Sequence, residues 1–323
     1  MGLPRKGSVI KMALDKTKMS ASRYPLELSA VFKVAKEMVA GNGEDCYYYQ
    51  YEKDRFIIAS LDGCGGSGSK KYDVLSGKTG AYIASRAVAG SLKSWFDESG
   101  NIEDMEKYVD AAMGTCRSVG DASGGKRMMG SLGKEFPTTA AIITGKVKDT
   151  IELVVVWAGD SRCYLLSERG LCQLTEDDLD GQDAMSNLIN DGVMTNVISA
   201  GAPYKLHKKK ITVKERCILL CATDGCFGYL SSPMHFEHLL IDTMVRSRNI
   251  SDWKSMLDAS FDKAAGDDYT LTVAAIGFRD YADMSSGFVK RHEYLSKKYV
   301  YPNADVLKLW EEYKPDYSVY LNR

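Results

Sequence analysis

The chain predicts an α+β fold in which mainly antiparallel sheets are segregated from their helices. Three observations carry that reading. Strand-like and helix-like runs come in blocks, in the order strands, helices, strands, helices, strand, so the β-α alternation of a doubly wound parallel sheet is absent. Two near-identical apolar runs, Phe56 to Leu61 and Cys217 to Thr223, each end in an Asp-Gly pair, Asp62-Gly63 and Asp224-Gly225. Of 323 residues, 45% are apolar and 26% charged, which suits an ordinary large core in one large domain or two medium ones.

The elements follow in order. Residues 1–25 read as a flexible or loosely attached arm. Strand patterns then run from Leu26 to Lys33, Cys46 to Tyr51 and Arg55 to Leu61, with Glu52-Lys53-Asp54 as the polar turn between the last two. Gly80 to Phe96 carries apolar residues near a helical period at Tyr82, Ile83, Val88, Leu92, Trp95 and Phe96, and Ile102 to Cys116 reads as a second amphipathic helix. Ser118 to Gly133, rich in Gly and Ser, predicts a loop. Strands resume at Thr138 to Thr144, Ile151 to Trp157 and Arg162 to Leu166, the last two joined by the tight turn Ala158-Gly159-Asp160-Ser161. A short helix is predicted over 183–190, irregular chain near 195–215, then the strand ending at Thr223. Helices from Met234 to Arg246 and Asp252 to Ala264 precede a strand from Tyr269 to Gly277. After Phe278 the chain changes character, with the local clusters Lys290-Arg291-His292 and Lys297-Lys298-Tyr299 and many tyrosines, and residues 279–323 read as a helical or partly extended extension that packs, regulates or offers a surface for partner contact.

The net charge of −1 gives no global attraction to nucleic acid or to an anionic membrane. The eight cysteines form no C-x-x-C pair, which predicts reduced, mostly buried thiols. No run approaches the roughly 20 apolar residues that span a bilayer, and the basic N-terminus lacks a signal-peptide core. Lys6 occupies the Ser/Thr position of a myristoylation signal. The expectation is a soluble, cytoplasmic protein.

A buried strand has no structural use for a charge at its end, because desolvating an unpaired carboxylate is costly. Four acidic positions follow or precede strands: Glu44-Asp45, Asp62, Asp224 and Asp267-Asp268. Hard divalent cations take carboxylate and carbonyl oxygens, and a glycine after an aspartate lets the backbone carbonyl approach an ion. One Asp-Gly alone is an ordinary turn. Two after near-identical strands, with two further acidic pairs, point to carboxylates gathered around cations.

Seven segments in order resemble those of the metal-dependent protein phosphatases of type 2C, the PPM family. Asn42-Gly43-Glu44-Asp45 is similar to the N-x-E-D box, and Leu61 to Gly66 to its D-G-x-G-G segment. Pro137 to Ala140 resembles the G-T-T-A strand start, Ala158 to Arg162 the G-D-S-R turn and Leu174 to Asp178 the L-T-x-D-H segment. Ala222 to Gly225 resembles S-D-G, and Asp267 to Val273 resembles D-N-x-T-x-x-V. The likeness covers roughly 26–278. It implies a four-layer α-β-β-α sandwich, two central antiparallel sheets between helical layers, and hydrolysis of phosphoserine or phosphothreonine in a protein substrate by metal-activated water. It also implies two ions, Mn2+ or Mg2+. Asp62 would bridge them, Gly63 would offer its carbonyl, Asp224 and Asp267 would complete the set, and Glu44 and Asp45 would act at the rim through water; Asp62, Asp224 and Asp267 are the implied catalytic residues.

Departures from the pattern accompany the match. Ala40 and Gly41 stand where the family usually places a phosphate-binding Arg, with Lys36 the upstream basic residue. Gly228 stands where many members place an aspartate of a third metal site, so that site keeps Asp177 without its partner. Cys64 occupies a position often held by His, Asp268 replaces an Asn, and His207, His235, His238 and His292 lie outside every motif. Two readings compete with the active phosphatase: a catalytically weak or inactive phosphatase-like binding or regulatory module, and a different two-metal hydrolase such as a nuclease.

Overall fold

The computed structural model describes residues 26–122, 135–181, 183–189 and 192–321. The predicted arm 1–25, and all but the first residues of the predicted loop Ser118 to Gly133, lie outside these.

The strands and helices alternate in blocks. β1 (Leu28–Lys36), β2 (Cys46–Glu52) and β3 (Arg55–Leu61) are followed by a single turn α1 (Gly65–Gly68) and the short strands β4 (Lys71–Tyr72) and β5 (Lys78–Thr79). Next come α2 (Gly80–Glu98) and α3 (Met105–Ala122), then β6 (Ala140–Val147), β7 (Ile151–Ala158), β8 (Arg162–Ser167) and β9 (Gly170–Gln173). The short α4 (Ser186–Ile189), β10 (His207–Val213) and β11 (Cys217–Ala222) lead to α5 (Pro233–Arg246), α6 (Ile250–Ala264) and β12 (Tyr269–Ile276). Finally α7 (Tyr281–Lys298) and α8 (Val306–Tyr317) fold the extension.

Two five-stranded sheets form the centre, ordered β1-β12-β11-β8-β9 and β10-β7-β6-β3-β2, with antiparallel pairing throughout. Strand alternation distributes their side chains over three cores. Phe56, Ile58, Ile143, Leu165, Leu219 and Ile276 fill the space between the sheets. The opposite faces of the same strands turn outward: Ile57, Ala59 and Leu61 pack under α2 and α3, and Ile218, Leu220 and Val273 pack under the helices of the other side. The layers therefore run helices, sheet, sheet, helices, the α-β-β-α sandwich that the resemblance implies. Ser60 is a buried polar exception; its hydroxyl donates to the Cys221 carbonyl at 2.7 Å and ties one sheet to the other.

The extension completes the core of one outer layer. Phe288 and Leu295 of α7, and Trp310, Tyr313 and Tyr317 of α8, are buried with Met234, Phe236 and Tyr164. Sequence periodicity misses the two-residue β4 and β5 and two strands of the central sheets. β10 reads His-Lys-Lys-Lys-Ile-Thr-Val; it is an edge strand paired with β7, and its outward lysines, which guard an edge against further pairing, hide the strand signal. β9 has four residues, too short for a period to register. The predicted tight turn at 158–161 is a crossover, because β7 and β8 belong to different sheets.

Candidate metal centre

The two Asp-Gly pairs end neighbouring strands of the two facing sheets, β3 and β11, at the same end of the sandwich. Local hydrogen bonds fix each one. The Asp62 carbonyl accepts from the Thr139 N–H at 2.7 Å and the Thr138 hydroxyl at 2.8 Å, just before β6 begins. A Cβ on Gly63 would meet the carbonyl oxygens of Ala81 and Glu44, so no larger residue fits there. Gly225 packs as tightly on the Asp268 carbonyl.

Asp62, Asp160 and Asp224 lie deep among protein atoms while keeping a little accessible surface, as the floor of an opening does. Burial pushes the Asp62 carboxyl well above its ordinary range, reinforced by the charges of Asp224, Asp45, Asp160 and Asp267. Burial likewise raises Asp224 to about 6, with Asp267 adding to it, and raises Asp160 to about 7, with Asp224 and Asp177 adding. One oxygen of Asp160, Oδ1, is fully buried and has no hydrogen-bond partner. Among the described residues, no three of these carboxylates bring oxygens within 4.8 Å of one another.

The acidic pair preceding β2 divides. Asp45 is only 8% exposed, so it sits inside rather than at the predicted rim. It accepts from the Thr223 hydroxyl at 2.8 Å, and burial holds its carboxyl well above the ordinary range against that hydrogen bond, with Asp224 adding to the rise. Glu44 is half-buried beside Gly65 and accepts from the Thr79 hydroxyl; burial raises it, with Asp268 and Asp267 contributing. Asp267 is the exposed member. Asp268 holds the loop before β2 in place, accepting from the Met38 and Glu44 N–H groups, both at 2.7 Å.

Asp177 points elsewhere. Its carboxylate takes a forked contact from Arg162, with Nη2 at 2.6 Å and Nε at 3.0 Å, and further donors from Gln173 at 3.0 Å and Asn187 at 2.7 Å. The residue the sequence assigned to a third site is thus engaged in a buried ion pair. Asp160, quoted in the sequence as a turn residue, faces the cluster. Its signal was the turn itself: a carboxylate where the chain steps from one sheet to the other. Asp178 braces that turn, accepting from Gly159 N–H at 2.9 Å and exchanging a hydrogen bond with His207 Nε2 at 2.9 Å. Gly228 lies against Asp224, its N–H donating to the Asp224 carbonyl at 2.6 Å.

A cavity of about 320 Å³ opens at the Glu44 and Asp267 side, lined also by Met38, Asn42, Tyr82 and two lysines, Lys71 and Lys78. Lys78 donates to the Gly41 carbonyl and lies 4.7 Å above the Tyr82 ring. Arg86 stacks on the same ring, 3.4 Å from its centroid, and donates to the Gly43 carbonyl at 3.0 Å, so its guanidinium braces the loop. Lys36 pairs with Asp262.

No family model matches the chain, and no curated protein matches it by sequence. Solved structures do match. The serine/threonine phosphatase Stp1 from Staphylococcus aureus is 17% identical with a TM-score of 0.56, over 80% of this chain and 99% of that one. The PPM Ser-Thr phosphatase MsPP from Mycobacterium smegmatis, in complex with cacodylate, is 15% identical with a TM-score of 0.54, over 76% and 98%. The catalytic domain of the serine threonine protein phosphatase PstP, in complex with 2 manganese ions, is 19% identical with a TM-score of 0.51, over 77% and 98%. The chain has the fold of the PPM phosphatases. No disulfide joins any of the eight cysteines, and among the described residues no helix is long and apolar enough to cross a membrane.

Proposed function

We propose that the chain is a metal-dependent serine/threonine protein phosphatase acting on phosphomonoesters. The observation that supports this most is the gathering of Asp45, Asp62, Asp160 and Asp224 in a recess where burial and mutual repulsion disfavour their charge. Arg162 offsets the repulsion in part, but Asp177 engages its guanidinium. Such a set is unfavourable for the fold alone, and an all-oxygen donor set suits hard cations that retain several waters, which also accounts for its open spacing. The partnerless Asp160 oxygen fits the same reading.

In this proposal Asp62, the Gly63 carbonyl, Asp224 and Asp267 hold two ions, Mn2+ or Mg2+, with Glu44 and Asp45 contacting them through water and Asp160 beside them. Bound there, the ions would supply an activated water and offset the charge of the phosphoryl group. The chain's own residues do the rest. Thr223 and Thr79 orient Asp45 and Glu44 by hydrogen bonds, and Asp268 fixes the loop that carries them. Lys78 and Lys71 line the adjoining cavity as cations for substrate phosphate oxygens, as point charges rather than an arginine fork.

The test is turnover of an aryl phosphate and of phosphoserine and phosphothreonine peptides with Mn2+. Turnover that Asp62→Asn and Asp224→Asn each abolish is the expected result; no turnover together with no Mn2+ binding by calorimetry refutes the reading. A second reading, a catalytically weak or inactive phosphatase-like module, draws on the Ala40 and Gly41 positions and on a cavity lined by lysines without an arginine among the described residues. Phosphopeptide binding without hydrolysis would favour it.

A further inference from the structure

We propose that His238, Asp242 and His292 form a binding site for a zinc-class divalent ion that fastens α7 to α5. The inference stands apart from the phosphatase reading. His238 and Asp242 are four residues apart on α5 and so share one helix face, and His292 meets them from α7. Their ligand atoms all lie within 4.8 Å of one another, which no other group of three His, Cys, Asp or Glu achieves among the described residues.

The present contacts are those an ion would replace. His292 Nε2 lies 3.0 Å from Asp242 Oδ1, and His238 Nε2 lies 3.0 Å from the Ser296 hydroxyl. The two imidazoles stack at 5.2 Å between centroids with an interplanar angle of 26°. Asp242 Oδ2 takes Arg246 at 3.1 Å, which leaves Oδ1 for the ion. Burial holds His238 below its ordinary value; Asp242 opposes this, and His292 and His235 add to it, so the ring's lone pair is available at neutral pH. His292 and Asp242 each keep about a quarter of their side-chain surface exposed, so an ion can enter without unfolding the helices.

Ligand chemistry separates this site from the carboxylate recess. Two imidazoles and one carboxylate suit zinc, cobalt, nickel or copper, with water in a fourth position, whereas magnesium and manganese prefer all-oxygen sets. A metal here would tie the extension to the helical layer that it covers, because a bound ion stabilises the state that binds it.

Cobalt(II) reads the site directly in the full chain with the recess saturated with Mg2+. One equivalent is expected to give the strong visible bands of a four-coordinate ion, without the charge-transfer band of a thiolate ligand. Those bands should persist in Asp62→Asn and disappear in His292→Ala and in His238→Gln, which retains a donor for Ser296. Zinc at about 100 times its Kd should raise Tm by roughly 5 °C in the parent chain and leave both histidine variants unchanged. Circular dichroism reports that each variant is folded. Absence of the bands in the parent chain, or their persistence in a folded His292→Ala or His238→Gln protein, overturns the proposal and leaves an aspartate–histidine pair only.

Discussion

Buried charge is handled in opposite ways at two places in this molecule. Under α7 and α8, Glu237 is fully buried and fully partnered: Arg291 donates to its two oxygens at 2.8 and 2.9 Å, and the Tyr313 hydroxyl adds a third contact at 2.6 Å. At the sheet ends, Asp62, Asp160 and Asp224 keep a little accessible surface and face mainly one another. A charge that serves packing carries its counter-ion with it. Carboxylates left to repel one another leave room for a partner from outside the chain.

The largest effect should come from breaking the satisfied side. Glu237→Ala leaves Arg291 buried without its partner and is expected to destabilise the fold by about 3–5 kcal/mol, with turnover per folded molecule unchanged. Urea titration alongside an activity assay checks this, and a loss under about 1 kcal/mol would remove the contrast.

Neutralising the unsatisfied side should act in the other direction. Asp224→Asn removes a group whose charge the metal-free fold disfavours, so it should stabilise the metal-free protein at pH 8 by on the order of 2 kcal/mol while abolishing turnover. Destabilisation would show that the carboxylate is satisfied by the chain itself.

Burial, reinforced by the same repulsion, sets a pH dependence. Asp224 and Asp160 titrate near 6 and 7 in the fold, against about 4 in an unfolded chain. The folded state therefore retains protons that the unfolded chain has released. The stability this contributes is present below about pH 4 and is lost as the pH rises through 6 and 7. Metal-free Tm should fall from pH 5 to pH 8, and saturating Mn2+ or Mg2+ should remove the fall. A flat metal-free profile would count against the cluster.

Smaller effects sharpen the comparison at its edges. Lys78→Gln should raise KM for a phosphopeptide roughly tenfold, the scale of one charged hydrogen bond, with kcat nearly unchanged and partial rescue by Lys78→Arg. Equal KM values would exclude Lys78 from substrate binding. Tyr317 donates to Gln173 at 2.8 Å, and Gln173 in turn supports Asp177, so Tyr317→Phe should cost about 1 kcal/mol and leave KM alone.

Much of the sandwich was legible because alternation and helical period are local. The strand Phe56 to Leu61 and the helix at 80–96 announce their elements in their own residues. β10 was not legible, because Lys208 and Lys210 face solvent at a sheet edge, where strand propensity and hydrophobic alternation part company. Asp160 was visible only as a turn residue, and the recess into which it points is made by chain segments far apart in sequence.

By itself the sequence determined that carboxylates end two core strands and that glycines follow them, because a strand's length and its terminating turn are set by neighbouring residues. Tertiary structure alone decided which carboxylates share a recess and which are neutralised. It committed Asp177 to Arg162 and withheld a hydrogen-bond partner from one oxygen of Asp160. Only the packing of two sheets fixes the distance between charges, and charge pairing depends on that distance and on the surrounding dielectric rather than on order along the chain.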